Sequence, residues 1–261
     1  MENDAQLTML YLIGIGLTTN QLTLEALHTI QTCSEVYVEN YTSKYAQGEI
    51  QALEKIIARK ITPLNRKGVE EDSEILIDKA QHHAVGLLVF GNPLTATTHI
   101  SLLEACAEKK INYKVIPGIS IFNYRGICGL DEYRFGRTTT FVFPQEGFEP
   151  LSTFDVIVKN KTMGLHTHCL FDLHPEKQRF MSIEEAITFL EHAASARDVN
   201  VSQWVGVGLA GMGSDAQLVH AGTLNELKKM TFNIFPQSLI ICGDLNAYEH
   251  EALQKLGGLK W

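Results

Sequence analysis

Met9-Leu-Tyr-Leu-Ile-Gly-Ile-Gly-Leu17 is the stretch that decides the fold class. Met9 to Ile13 is an unbroken apolar run of the length a buried strand needs, and it stops abruptly at Gly14-Ile15-Gly16. A helical pattern follows, with Leu24, Leu27 and Ile30 on one face. Thr23 is placed to cap that helix, and Glu25 sits in its first turn, where the helix dipole favours an acid. Strand, glycine turn and helix in that order open a parallel α/β unit.

Working outward, the alternation continues. Val36-Tyr-Val38 is the next strand, followed by Glu39 and Tyr41; Ile50, Leu53, Ile56 and Ile57 mark a second helix. Glu70-Glu71-Asp72 predicts the start of a third helix, with His82-His83 near its end, the charge order a helix dipole favours. Leu87-Leu-Val-Phe90 is a buried-type strand that stops at Gly91-Asn92-Pro93. Ser101 and Glu104 either form a capping box or simply lie on a helix running to Lys110, and Tyr113–Ile116 is a strand closed by Pro117-Gly118. This βαβα order predicts a mostly parallel sheet covered by helices, with right-handed connections.

The second half reads differently. Thr138–Phe143, Asp155–Val158 and His166–Phe171 are predicted as closely spaced strands. Ser182 with Glu185 forms a capping box before a helix carrying Ile183, Ile187 and Leu190. Trp204–Leu209 and Ser238–Ile241 are further strands, with helices over Leu224–Lys229 and Ala247–Leu256. The boundary is placed near residue 130, giving two α/β domains, 1–130 and 131–261.

The chain has 261 residues, 45% hydrophobic and 20% charged, with a formal net charge of −8. That suits a globular enzyme with a sizeable core. No Lys/Arg block is long enough to track a phosphate backbone, so direct nucleic-acid binding is not expected. No apolar run reaches the ~18–20 residues of a membrane span. The start, carrying Glu2 and Asp4, lacks the basic region of a secretory signal. Cys33, Cys106, Cys128, Cys169 and Cys242 are scattered and odd in number, as in a cytoplasmic protein with reduced thiols.

Three strands of the first half end in glycine or proline turns: Gly14-Ile-Gly16, Gly91-Asn92-Pro93 and Pro117-Gly118-Ile119-Ser120. Carboxyl ends of strands in an open parallel sheet border the ligand crevice, and glycine lets backbone approach a ligand closely. Each turn alone could be mere strand punctuation; three together predict a binding edge. Gly14-x-Gly16 with Glu39 ending the next strand also suggests a dinucleotide fold, but Thr19 occupies the third glycine position and weakens that reading.

Met9–Leu17, Glu39-Asn-Tyr-Thr-Ser43, Gly91-Asn-Pro-Leu-Thr-Ala-Thr-Thr-His99 and Ser120-Ile-Phe-Asn123 resemble the diphthine synthases. So do Gly164-Leu-His-Thr-His-Cys-Leu-Phe-Asp172, Met181-Ser182, Val207-Gly-Leu-Ala210, Ala221-Gly-Thr-Leu224 and Gln237-Ser-Leu-Ile240, in order along nearly the whole chain. The resemblance implies the tetrapyrrole methylase fold, two α/β domains with S-adenosylmethionine in the cleft between them. It further implies methylation of the amine on a modified histidine of elongation factor 2, and a homodimer. The implied donor contacts are Leu17, Asn92, Thr95, Ser120 and Ile121 from the first half, and Phe171, Met212 and Gln237 from the second. Leu17, Ile121, Phe171 and Met212 would enclose the adenine and thioether. Asn92, Thr95 and Ser120 would hydrogen-bond ribose and amino-acid tail. Asn92 stands where the family usually has Asp, and Gln237 where His is common.

The reaction needs no metal, and no dedicated base is evident; Glu39 and Tyr41 are the residues considered for assistance. His166 and His168 face the same way on a strand beside Cys169, but no spaced partner set completes a metal site, so they are expected to be structural. Trp204 and Phe189 are expected in the core. Lys159 and Lys161 are expected at a solvated strand end. The alternatives are a tetrapyrrole methyltransferase of the same fold, which would usually show an acid where Leu17-Thr18-Thr19 stands, and a nicotinamide-dependent oxidoreductase.

Overall fold

Five strands form one parallel sheet at the front of the chain: β1 (Met9–Gly14), β2 (Glu35–Glu39), β3 (Thr62–Leu64), β4 (Ala84–Val89) and β5 (Tyr113–Ile116). The computed structural model describes residues 8–144 and 151–260, so the start carrying Glu2 and Asp4 lies outside the described residues. The strand order is β3-β2-β4-β1-β5, every pair parallel. Helices α1 (Leu24–Thr32), α2 (Ile50–Ile57), α3 (Glu74–Ala80) and α4 (Ile100–Glu108) connect them.

Handedness sorts these helices between two faces. The chain moves one way along the sheet from β1 to β3 and the other way from β3 to β5. Right-handed crossovers therefore put α1 and α2 on one face and α3 and α4 on the other. The cores agree. Tyr11, Ile13 and Leu88 pack with Ala26, Ile30, Leu53 and Ile57, while Leu10, Leu12, Val85 and Leu87 pack with Leu76, Ile77, Leu102 and Leu103. Alternation along β1 and β4 supplies both layers, and β4 is buried along its whole length.

The second sheet has the order β11-β10-β12-β7-β6. Its strands are β6 (Thr139–Phe141), β7 (Thr167–Phe171), β10 (Val205–Ala210), β11 (Leu218–Thr223) and β12 (Gln237–Ile241). In this sheet, among the described residues, only β6 and β7 run parallel; the other pairs are antiparallel. β8 (Leu173–His174) and β9 (Arg179–Phe180) form a separate hairpin. Helices α5 (Ser152–Thr162), α6 (Ile183–Ser195) and α7 (Leu224–Lys229) share one core with Cys169, Phe171, Leu239 and Ile241. α8 (Ala247–Leu256) closes the chain. The chain divides into two compact units: one up to Ile121 together with Pro175–Lys177, the other Phe122 to His174 with Gln178 onward. The division thus falls at Ile121, against residue 130 in the sequence-based placement.

Several expectations change. Asp155–Val158 is not a strand but the middle of α5. Its β-branched residues resemble a strand, yet the buried positions Thr153, Phe154, Ile157 and Asn160 follow the helical period, and packing overrides propensity. Lys159 and Lys161 accordingly end a helix. Lys161 is half-buried, donates to the Cys242 carbonyl at 3.0 Å and lies over the Trp204 ring. The third helix begins at Glu74 rather than Glu70, after a π-helical turn over Lys67–Glu71. Of the two readings of Ser101 the second holds: it lies inside α4, which ends at Glu108, and its hydroxyl donates to the Thr98 carbonyl. Leu24, at the first turn of α1, is exposed, and Ala26 and Ile30 carry that helix's buried face.

Candidate functional site

Connections leave the carboxyl ends of the neighbouring strands β1 and β4 toward opposite edges of the sheet, which makes that end a topological switch point. All three glycine turns meet there. Gly16 and Gly91 exchange backbone hydrogen bonds, Gly16 N–H to Gly91 O at 3.3 Å and Gly91 N–H to Gly16 O at 2.9 Å. Both have positive φ, +75° and +73°, where L side chains are strained. Gly118 closes the group: a β-carbon there would stand 2.2 Å from Gly91 O and 2.7 Å from the Gly14 carbonyl carbon. The turns therefore touch backbone to backbone, which only side-chain-free residues permit.

The candidate residues of the first unit hang from this junction. Leu17 is half-buried; its N–H donates to Gln21 Oε1 at 2.9 Å, and its carbonyl accepts from Ala46 N–H at 2.8 Å. Asn92 Oδ1 accepts from Leu94 N–H at 3.1 Å, and Asn92 Nδ2 donates to Gly118 O at 3.4 Å. A carboxylate could make the first bond but not the second, so asparagine adds a link between two of the turns. Thr95 is half-buried in the same loop; Ser120 is buried and Ile121 half-buried after the third turn.

Glu39 and Tyr41 lie behind the loops. Glu39 is fully buried, and its carboxylate accepts from the backbone N–H groups of Tyr41 and Thr42, at 3.2 and 2.9 Å, and from the Thr42 hydroxyl. It is a clasp for its own turn. Burial, then the charges of Glu70 and Glu39, push the Tyr41 phenol well above the ordinary tyrosine range, so it stays protonated. The Tyr41 phenol is therefore no proton acceptor near neutrality.

In the second unit, Phe171 ends β7, Met212 follows β10 and Gln237 begins β12. Ala210 pairs with Gln237, and continuing the β7–β12 register by two residues sets Phe171 opposite Gln237. These three thus share one end of the second sheet. Met212 is buried between Gly211 and Gly213, both at positive φ. The Gln237 side chain is already committed: Oε1 accepts from Ile183 N–H at 2.9 Å, and Nε2 donates to the carbonyls of Phe232 and Ile234 at 2.8 and 3.0 Å. Both amide protons are used, so this side chain has no donor left for a ligand. A surface depression lined by Glu191, Ser195, Asp198 and Asn200 lies at the amino end of β10, the opposite end of that strand from Met212.

His166 and His168 are structural. Gly243 N–H donates to His166 Nδ1 at 3.0 Å, so Nε2 carries the proton and donates to Glu249 at 2.9 Å. His168 Nε2 meets Ser238 Oγ at 3.1 Å, while its buried Nδ1 has no partner among the described residues. Burial lowers the His168 pKa from 6.5 to about 3, with the Arg125 charge adding to the effect. The sign follows. The unfolded chain takes up this proton below pH 6.5 and the folded chain does not, so stability is lost as pH falls from 6.5 toward 3. The loss is on the order of 5 kcal/mol when complete. His168→Gln should flatten the acid limb of a stability–pH curve measured by urea unfolding; an unchanged limb contradicts the assignment. Among the described residues no group of three or more His, Cys, Asp or Glu side chains is placed to hold a metal ion. Phe189 and Trp204 pack against the core.

The sequence missed two links near the candidate residues. His99 joins the Tyr41 turn to the Pro93 loop. Asp172 and His174, directly after Phe171, stand 3.8 Å apart. The spacing of Tyr41 and His99, far apart in the chain, gives no periodic signal; only their places within quoted motifs mark them.

The family model for Tetrapyrrole (Corrin/Porphyrin) Methylases matches residues 9–228. The chain is similar to the diphthine methyl ester synthase of Mus musculus, 35% identical over 94% of this chain and 95% of that protein. It is also similar to the diphthine synthase of Methanocorpusculum labreanum, 34% identical over 96% and 100%. A crystal structure of a diphthine synthase superposes with a TM-score of 0.88, at 29% identity, covering 97% of both chains.

Proposed function

Because the chain belongs to the tetrapyrrole methylase family and, within it, to the diphthine synthases, we propose that its glycine-turn edge holds S-adenosylmethionine for methylation of the modified histidine of elongation factor 2. The chain is a methyltransferase of diphthamide biosynthesis. The observation that carries the donor assignment is the backbone contact of Gly14, Gly91 and Gly118, which brings three loops together at a switch point. The residues there suit a sulfonium nucleoside. Asn92, Thr95 and Ser120 bring amide and hydroxyl groups for the amino-acid tail and ribose. Leu17 and Ile121 bring apolar surface. Within the second unit the Gln237 side chain braces α6 and the 232–234 segment.

When bound, the donor supplies a methyl group activated on a sulfonium. The chain's part is orientation, holding the acceptor amine in line with the methyl, which can lower a barrier by roughly 7–11 kcal/mol. The amine attacks in its unprotonated form, and burial beside apolar groups favours that form. With Glu39 clamped and Tyr41 held protonated, neither takes the amine's proton. Glu39→Gln and Tyr41→Phe should keep the midpoint of the wild-type pH–rate profile; a midpoint moved by about one unit or more would return that residue to the mechanism. Mass spectrometry of the elongation-factor histidine, after incubation with this protein and donor, should show added methyl groups. An unmodified mass overturns the proposal. The tetrapyrrole alternative is not favoured: relatives aligned over 94–96% of this chain carry diphthine-related names, and Leu17-Thr18-Thr19 lacks the acid of that class.

A further inference from the structure

We infer that His99 is a positioning residue that fixes the donor loop through a single peptide plane, an inference that rests on the donor site proposed above. His99 is buried, and its Nδ1 stands 3.1 Å from the Pro93 carbonyl oxygen. A carbonyl only accepts, so Nδ1 carries a proton and donates. Nε2 faces the Tyr41 hydroxyl at 3.5 Å. That phenol stays protonated and can donate; the Glu70 carboxylate also reaches it. The joint is braced on both sides. The Arg66 guanidinium lies 4.9 Å from the Tyr41 ring centre and 3.4 Å from Glu70, and Glu70 accepts from the Thr98 hydroxyl at 2.9 Å, one residue before His99.

The Pro93 carbonyl and the Leu94 N–H belong to one rigid peptide unit. The carbonyl end is held by His99 Nδ1 and, at 2.5 Å, by the Thr97 hydroxyl. The N–H end donates to Asn92 Oδ1, and Asn92 Nδ2 donates in turn to Gly118 O. An ordered series therefore runs from Tyr41 through His99, the Pro93–Leu94 peptide and Asn92 to the third glycine turn. It joins Glu39–Ser43 and Gly91–His99, two motifs that lie far apart in the sequence of the first unit. Losing the His99 bond leaves the carbonyl to the Thr97 hydroxyl alone, which loosens the peptide plane and with it the N–H that sets the Asn92 amide. His99 touches no ligand in this account; it acts through Asn92.

Two full-length variants test this. His99→Phe fills the space but donates nothing; His99→Asn places an N–H near the position of Nδ1. Amide hydrogen exchange without ligand should show Leu94 opening about tenfold faster in His99→Phe, the worth of one hydrogen bond, with β4 unchanged. Calorimetry should show S-adenosylhomocysteine binding weakened about tenfold in His99→Phe and largely restored in His99→Asn. The donor KM should rise with little change in kcat. Equal Leu94 exchange in wild type and His99→Phe overturns the inference, and so does a folded His99→Asn no better than His99→Phe. If wild type itself takes up no S-adenosylhomocysteine, the donor assignment fails instead, and the exchange rates still decide whether His99 holds the loop.

Discussion

Gly118→Ala is expected to lower the melting temperature by about 5 °C or more and to weaken S-adenosylhomocysteine binding at least tenfold. The added β-carbon would meet Gly91 O at 2.2 Å and the backbone of Gly14 at 2.7–2.8 Å. Both neighbours are backbone ending β1 and β4, so no flexible side chain can move aside. Overpacking of this kind costs typically 1–3 kcal/mol, and each kcal/mol shifts the melting point of a chain this size by about 2–4 °C. Function should suffer more than stability, because the only relief is to part the turns that form the binding edge. Gly126→Ala is the control: a β-carbon there meets nothing within 4 Å. It should leave both measurements at wild-type values, and equal behaviour of the two variants would contradict the interlocked geometry.

Glu249→Ala should be the most destabilising single change in the second unit, by about 3–5 kcal/mol in urea unfolding, because it strips the counter-charge from a largely buried ion pair. Glu249 on α8 is almost fully buried, and its carboxylate accepts from Arg134, from His166 Nε2 at 2.9 Å, and from the N–H groups of Asp131 and Asn246 at 3.1 and 3.0 Å. Burial alone would raise its pKa, but the hydrogen bonds from His166, Asn246 and Asp131 outweigh burial and hold it below the usual carboxylate range. Removing the carboxylate leaves Arg134 and His166 facing each other without it. It also removes the cap of α8, since Asn246 and Glu249 form a capping box. Glu249→Gln keeps several of these bonds and should lose less. A loss below about 1 kcal/mol for the alanine variant would mean that solvent replaces the carboxylate readily.

Local chemistry made much of this architecture legible. Thr23 and Ser182, read as caps from the sequence, are in place; the caps at Thr223 and Asn246 came only with the structure. The three glycine turns were legible because only one residue type allows such backbone approach. What local pattern could not carry was long-range: that α5 is a helix despite its Val156-Ile157-Val158 run, set by its buried face, and that Gln237 faces inward onto three backbone groups. The His99 joint was equally hidden, since its partners Pro93 and Tyr41 lie 6 and 58 residues away. Resemblance named Gln237 as a donor contact; no local pattern announced its three hydrogen bonds to backbone.

The most direct test of the donor site is a calorimetric titration of the full-length protein with S-adenosylhomocysteine and, separately, with NAD. One S-adenosylhomocysteine per chain, with binding lost on parting the turns by Gly118→Ala and no heat from NAD, is the predicted result. Uptake of NAD, or S-adenosylhomocysteine binding undiminished in Gly118→Ala, would contradict it.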